Sequence, residues 1–141
     1  MKMPRPDNVA VGVAAIVIRK RKILLLKRKG AHAANKWAVP GGWVDRSDQT
    51  VPWAVRREVL QETGMESGSV RLYDVTTEDS EELGCRTVTI YYQVDTFNNP
   101  EIQEPDKCSS MRWFSYLETL NLDLFPGLAN VIFQLHHDGD I

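Results

Sequence analysis

The sequence predicts a mixed α/β fold, a sandwich in which a helix is set against a sheet, and three observations predict it. Two short apolar runs rich in β-branched or aliphatic residues, 9–18 (VAVGVAAIVI) and 22–27 (KILLLK), read as buried strands. Residues 51–63 carry helix signals at both ends. Residues 86–94 contain the run Thr87-Val88-Thr89-Ile90-Tyr91-Tyr92-Gln93-Val94, a strand pattern.

In chain order, the first two strands are joined by a basic turn around Lys20 and Arg21. A loop of small residues at 30–36 leads to a short strand, Trp37-Ala38-Val39, which Pro40-Gly41-Gly42 is expected to stop. For the helix, Thr50 is the N-cap, Pro52 lies in the first turn where its missing N–H costs nothing, and Gly64 is the C-terminal stop. Strands follow at 69–77 and 86–94, and Asn98-Asn99-Pro100 turns the chain. Met111–Phe114 is a last short strand, Ser115 with Glu118 forms a capping box, and Pro126 is expected to open a final helix running to about His136.

Length and composition narrow the function. The 141 residues suit one domain, 1–141, with its own core. A formal net charge of −2 gives no broad basic field for a nucleic-acid backbone, although positives from Arg19 to Lys29 crowd the first hairpin. Most of these read as solvated, with one or two over a phosphate-binding mouth. Cys85 and Cys108 are far apart and form no metal or disulfide framework. The N-terminus has no apolar core of signal-peptide length and no stretch spans a membrane, so a soluble, cytoplasmic protein is expected.

The chemistry is concentrated in Gly41 to Met65, GGWVDRSDQTVPWAVRREVLQETGM. Glu58 and Glu62, four residues apart, share one helix face with Gln61 beside them, while Val51, Val55 and Val59 form the adjoining apolar stripe. Two carboxylates in register are costly without a cation between them, and hard oxygen donors suit Mg²⁺ or Mn²⁺. An isolated pair at this spacing is ordinarily a solvated helix face. Its context separates this one: Gly41 and Gly42 let the backbone approach a ligand, immediately before a helix N-terminus that attracts phosphate.

This segment resembles the Nudix box: Gly, five residues, Glu, seven residues, Arg-Glu, an aliphatic residue, any residue, Glu-Glu, any residue, Gly, aliphatic. Arg57, Glu58, Val59, Glu62, Gly64 and Met65 match position for position, and Gly42 and Ala54 match in type. His32 to Lys36, leading to Pro40-Gly41-Gly42, is similar to the approach to the box in MutT-type enzymes. Glu104 to Cys108 before Trp113 resembles a segment of plant and mammalian nucleotide diphosphatases, and Leu120 to Asn130 resembles the MutT C-terminal region. Three departures stand out. The stretch from Gly42 to Arg57 is one residue longer, the first box Glu falls on Gln49 beside Asp48, and the first of the paired glutamates is Gln61.

The resemblance implies a Nudix-type α/β/α sandwich with a mixed sheet, Mg²⁺ or Mn²⁺ as cofactor, and a small nucleotide as substrate. It gives Glu58 and Glu62 the main metal-ligand roles with the backbone of Gly41, Gln61 a charge-depleted place beside them, and Glu104 the part of an outside acid, with Asp106, Glu78, Glu81 and Glu82 behind it. Glu58 acts as or positions the general base. Arg57 is held by Asp48 or Gln49. Arg28 and Gly42 contact substrate and Asn130 reads the base, since an amide presents both donor and acceptor. The tryptophans read as core more readily than as stacking platforms, and His32, His136 and His137 as structural or exposed. The leading reading is Mg²⁺-dependent cleavage of a nucleoside (deoxy)triphosphate to monophosphate and pyrophosphate. Hydrolysis of an ADP-sugar, or a degenerate domain that only binds nucleotide, are the alternatives. The protein is expected to be a monomer or homodimer.

Overall fold

The computed structural model describes residues 8–30 and 32–141; the expectation of no leader peptide falls largely on residues 1–7, outside the described residues. The two apolar runs become β1 (Val9–Ile16) and β3 (Lys22–Arg28), which lie in different sheets. Between them β2 (Ile18–Arg19) pairs back on β3 through the basic turn. Lys20 and Arg21 there both take positive φ, 51° and 61°, the conformation that matches a two-residue loop to strand twist.

In the first sheet β1 is flanked by β5 (Gly41–Trp43), antiparallel, and by β7 (Cys85–Thr96), parallel. β6 (Ser67–Ser80) forms a long antiparallel hairpin with β7. The second sheet centres on β3, paired antiparallel with β4 (Trp37–Ala38) and β8 (Cys108–Phe114). The parallel β1–β7 pair makes the first sheet mixed.

Period-2 alternation explains why β1 and β3 read as unbroken apolar runs: each buries both faces. Val13, Ala15, Leu24 and Leu26 pack toward α1 (Val51–Thr63) with Ala54, Val55 and Val59. Ala14, Ile16, Ile23 and Leu25 pack the other way, against Leu128, Val131, Ile132 and Leu135 of α3 (Leu128–His137). Helices on opposite faces of a β core give the expected α/β/α sandwich.

The α1 signals appear as read. Thr50 Oγ1 accepts from Trp53 N at 3.1 Å, and Gly64, at φ 71°, closes the helix by donating to Leu60 O at 2.9 Å. The capping box caps a short α2 (Tyr116–Thr119), with Ser115 N donating to Glu118 Oε1 at 2.9 Å.

Two boundaries differ. β4 ends at Ala38, one residue early, and Gly41 and Gly42 then begin a further strand, β5, where glycine is needed because a Cβ at Gly41 would collide with the carbonyl of Val13 on the neighbouring strand. The last helix starts at Leu128 and not at Pro126, because Gly127, at φ 85°, holds the left-handed N-cap between them. No helix among the described residues is long and apolar enough to cross a membrane.

Candidate active site

Val55 and Val59 are fully buried and seat α1, which turns Glu58 and Glu62 toward β5. Glu62 Oε2 accepts the N–H of Gly41 at 2.9 Å, fastening the C-terminal half of α1 to the start of β5. Glu58 lies against the next residue: a Cβ at Gly42 would come within 2.6 Å of Glu58 Oε1. The two glycines therefore serve sterics as well as backbone approach, one letting β5 reach β1 and the other leaving room for a carboxylate.

Arg57 organises the surroundings. Its Nε and Nη2 donate to the two oxygens of Asp48 at 2.8 and 2.9 Å, a bidentate pair. Nη1 donates to Glu58 Oε1 at 2.9 Å and to Gln61 Oε1 at 3.2 Å, and Nη2 also reaches Trp43 O at 3.2 Å. The Asp48 side chain is 1% exposed and accepts a further bond from Asp45 N at 2.7 Å. Asp48, not Gln49, thus anchors Arg57, and the extra residue in this stretch brings it into register. The paired guanidinium holds the Asp48 carboxyl below the usual carboxylate range, and Asp48 in turn raises Arg57.

The α1 carboxylates move the other way. Burial raises Glu58, opposed by Arg57, and its side chain is only 12% exposed. Burial first and the neighbouring Glu58 second push Glu62 up to about 8, although the Gly41 N–H opposes this. A buried carboxylate beside a second one is the electrostatic condition that a divalent cation relieves. Across a small crevice of about 30 Å³ stand Glu104 and Lys107, which pair at 3.2 Å, with Arg28, Val39 and Cys108 completing the walls. Among the described residues no three His, Cys, Asp or Glu side chains form a ready-made cage. Glu58 and Glu62 on α1, with Glu104 across the crevice, are hard oxygen donors of the kind Mg²⁺ takes in ones and twos alongside waters and substrate oxygens. Gln61 is exposed and turned to Arg57.

Arg28, at the end of β3, lines this crevice and also a larger cavity of about 330 Å³. Its Nε donates to His32 O at 3.0 Å and its guanidinium lies 5.4 Å from the centroid of the Phe125 ring. The cavity is bounded by Gly41, Gly42 and Trp43 of β5, by Tyr91 of β7, and by Phe125 and Leu128 before and in α3. Asp106 is exposed and does not line either space. Asn130 is exposed on α3, outside the cavity lining.

The cavity overturns one expectation and places two sets of residues the sequence had named. Trp43 is not core; it is 47% exposed and forms a cavity wall, stacked at 6.4 Å on His32. His32 is structural, as expected: its Nδ1 lies 2.9 Å from Glu82 Oε2, which ties the tip of the β6–β7 hairpin across the cavity mouth. The hairpin tip, Glu78 to Glu82, lines the cavity as a group. The signal was the length of the β6–β7 hairpin, which runs to Ser80 rather than Thr77 and so carries its acids to the opening.

Comparison with known proteins bears on the same residues. The family profile described as the NUDIX domain matches residues 8–135. An ADP-ribose pyrophosphatase of Methanocaldococcus jannaschii is 30% identical over 120 residues, covering 85% of this chain and 66% of that protein. An ADPR-responsive transcriptional repressor of Acinetobacter baylyi is 26% identical over 105 residues, covering 73% of this chain and 42% of the repressor. The chain thus spans just under two thirds of the first relative and less than half of the second. Among solved structures, a MutT NUDIX hydrolase from Burkholderia pseudomallei superimposes with a TM-score of 0.84 at 30% identity, covering 92% of this chain and 99% of that one.

Proposed function

The chain belongs to the Nudix family of hydrolases, and we propose that it hydrolyses a nucleoside (deoxy)triphosphate to the monophosphate and pyrophosphate. The observation that carries this reading is the division of the site into two unequal spaces joined at Arg28, Ala38 and Val39. The larger, about 330 Å³ and walled by Trp43, Tyr91 and Phe125, suits one base and its sugar; it is near the lower end of the roughly 300–1,000 Å³ range of small-molecule sites. The smaller, about 30 Å³, offers Glu62, Glu104 and Lys107 and no aromatic wall. Such a crevice has room for little more than an ion and its water, so the phosphates would lie along its edge beside Arg28, with no walled room there for a second sugar.

Glu58, Glu62 and Glu104, with the backbone of Gly41, would hold a divalent ion, and that ion would supply neutralising charge for the phosphate oxygens and an acidified water. The protein's own groups do the rest. Arg28, between the two spaces, orients the phosphate chain, and the Gly42 backbone approaches it without a side chain in the way. Arg57 occupies Glu58 Oε1, which leaves Oε2 to take a proton from the attacking water. The water oxygen bonds to the α-phosphorus, the bond from that phosphorus to the bridging oxygen of the β-phosphate breaks, and pyrophosphate leaves.

Hydrolysis of ADP-ribose is the second reading, favoured by the archaeal relative named above. The test is kcat/KM for the dNTPs and for ADP-ribose under one Mg²⁺ concentration. A preference for triphosphates is expected. A tenfold or greater preference for ADP-ribose, about 1.4 kcal/mol in transition-state binding, overturns the triphosphate assignment.

A further inference from the structure

Resting on the nucleotide reading above, we propose that Glu78 is the specificity-determining residue of the larger cavity and that it selects a guanine base. Its position is unusual for a strand carboxylate. Along the end of β6 the side chains alternate, with Thr77 and Asp79 exposed while Thr76, Glu78 and Ser80 turn inward. A carboxylate on the inward face departs from the pattern that burial favours, and at half burial it is free to take a partner. None is present among the described residues: the one side-chain hydrogen bond at Glu78 goes to its backbone carbonyl, from Thr87 Oγ1 at 3.4 Å.

The neighbouring acids are accounted for. Glu82 accepts from His32 and from Ala33 N, Asp79 faces Arg86 at 3.8 Å, and Glu81 is exposed. Glu78 alone is half-buried and unpaired. Its carboxylate rests against Gly127, the N-cap of α3, where a Cβ would run into Oε1. Leu128, Phe125 and Tyr91 line the same cavity, so the acceptor stands in a largely apolar and aromatic setting.

A planar base against those aromatics would present an edge to this carboxylate. Two oxygens side by side are matched by two adjacent N–H donors on one edge. Among the four standard bases that pair occurs in guanine, as N1–H and the 2-amino group. Adenine and thymine put an acceptor at one of the two places, and cytosine has a lone amino donor beside acceptors. A half-buried acceptor in a cavity wall also discriminates against a ligand that covers it and leaves it unmet.

The test needs no cleavage. Binding of GMP, IMP and AMP is measured by calorimetry on wild type and Glu78→Gln, with the change in tryptophan fluorescence as a second readout. IMP lacks only the 2-amino group, and AMP lacks both donors of the pair. Wild type is expected to bind GMP at least tenfold more tightly than IMP or AMP, and Glu78→Gln to bring GMP down to the IMP level. Equal affinities for the three in wild type, a GMP preference that survives Glu78→Gln, or no GMP binding overturns the assignment. The wild-type comparison stands whether or not the variant folds. Pyrophosphate release from triphosphates, followed in parallel, judges the hydrolytic reading by itself, so the two can fail separately.

Discussion

Replacing Glu62 with glutamine isolates the cost of its buried charge. The folded protein holds that proton up to about pH 8, whereas an ordinary glutamate releases it near 4.5. Between these values the folded state binds more protons than the unfolded chain, so stability falls as pH rises across the window. At about 1.4 kcal/mol per pH unit, the loss is on the order of 3–5 kcal/mol by pH 9 in the absence of a divalent ion. That corresponds to roughly 10–17 °C in melting temperature for a chain of this size. Glu62→Gln carries no such proton, so its melting temperature should fall much less. The assay is thermal unfolding of both proteins from pH 5 to pH 9 in a chelator, repeated with Mg²⁺. Mg²⁺ should restore wild type at high pH and do little for the variant. Melting temperatures that decline in parallel for the two proteins would refute the electrostatic argument, and an equal Mg²⁺ effect on both would remove Glu62 from the ion.

Glu58→Gln should lower kcat for pyrophosphate release by roughly a hundredfold or more while the circular dichroism spectrum is unchanged; turnover near wild type would move the proton transfer elsewhere. Gly42→Ala introduces a Cβ 2.6 Å from Glu58 Oε1, and kcat should drop because the carboxylate is displaced. Wild-type kcat in that variant would show that Glu58 can shift without consequence. Asp48→Asn removes the charge that anchors Arg57 and should lower kcat about tenfold, the smaller effect expected of a residue acting through another. Gln49→Ala, which changes a side chain away from Arg57, should leave kcat unaltered, and equal losses in the two variants would contradict the assigned anchor.

The layered fold was legible because its signals are local. The caps of α1 sit at Thr50 and Gly64, and β1 and β3 are apolar on both faces as strands buried on two sides must be. Glu58 and Glu62 were legible because a four-residue spacing fixes a helix face, and Arg57 because it adjoins them. Which residue holds Arg57 was not: Asp48 and Gln49 were both open until the loop path put the Asp48 carboxylate beneath the guanidinium. The cavity was hidden for a different reason. Trp43, His32, Glu82 and Phe125 are far apart in sequence and meet only because β5, the loop before β4, the β6–β7 hairpin and the approach to α3 converge. Local pattern gives no weight to such an encounter, and an aromatic residue then reads as core. The late start of α3 was missed because Pro126 carries the usual first-turn signal, while Gly127 after it takes a positive φ, and an added Cβ there would meet Glu78.

The central claim is that the α1 carboxylates direct water to the α-phosphorus of a nucleoside triphosphate. ³¹P NMR of the products formed from dGTP with Mg²⁺ in H₂¹⁸O tests it most directly. Pyrophosphate and dGMP should appear together, with ¹⁸O in the monophosphate only, and both should be suppressed in Glu58→Gln. Orthophosphate with dGDP, label in pyrophosphate, or no turnover of any triphosphate would contradict the account.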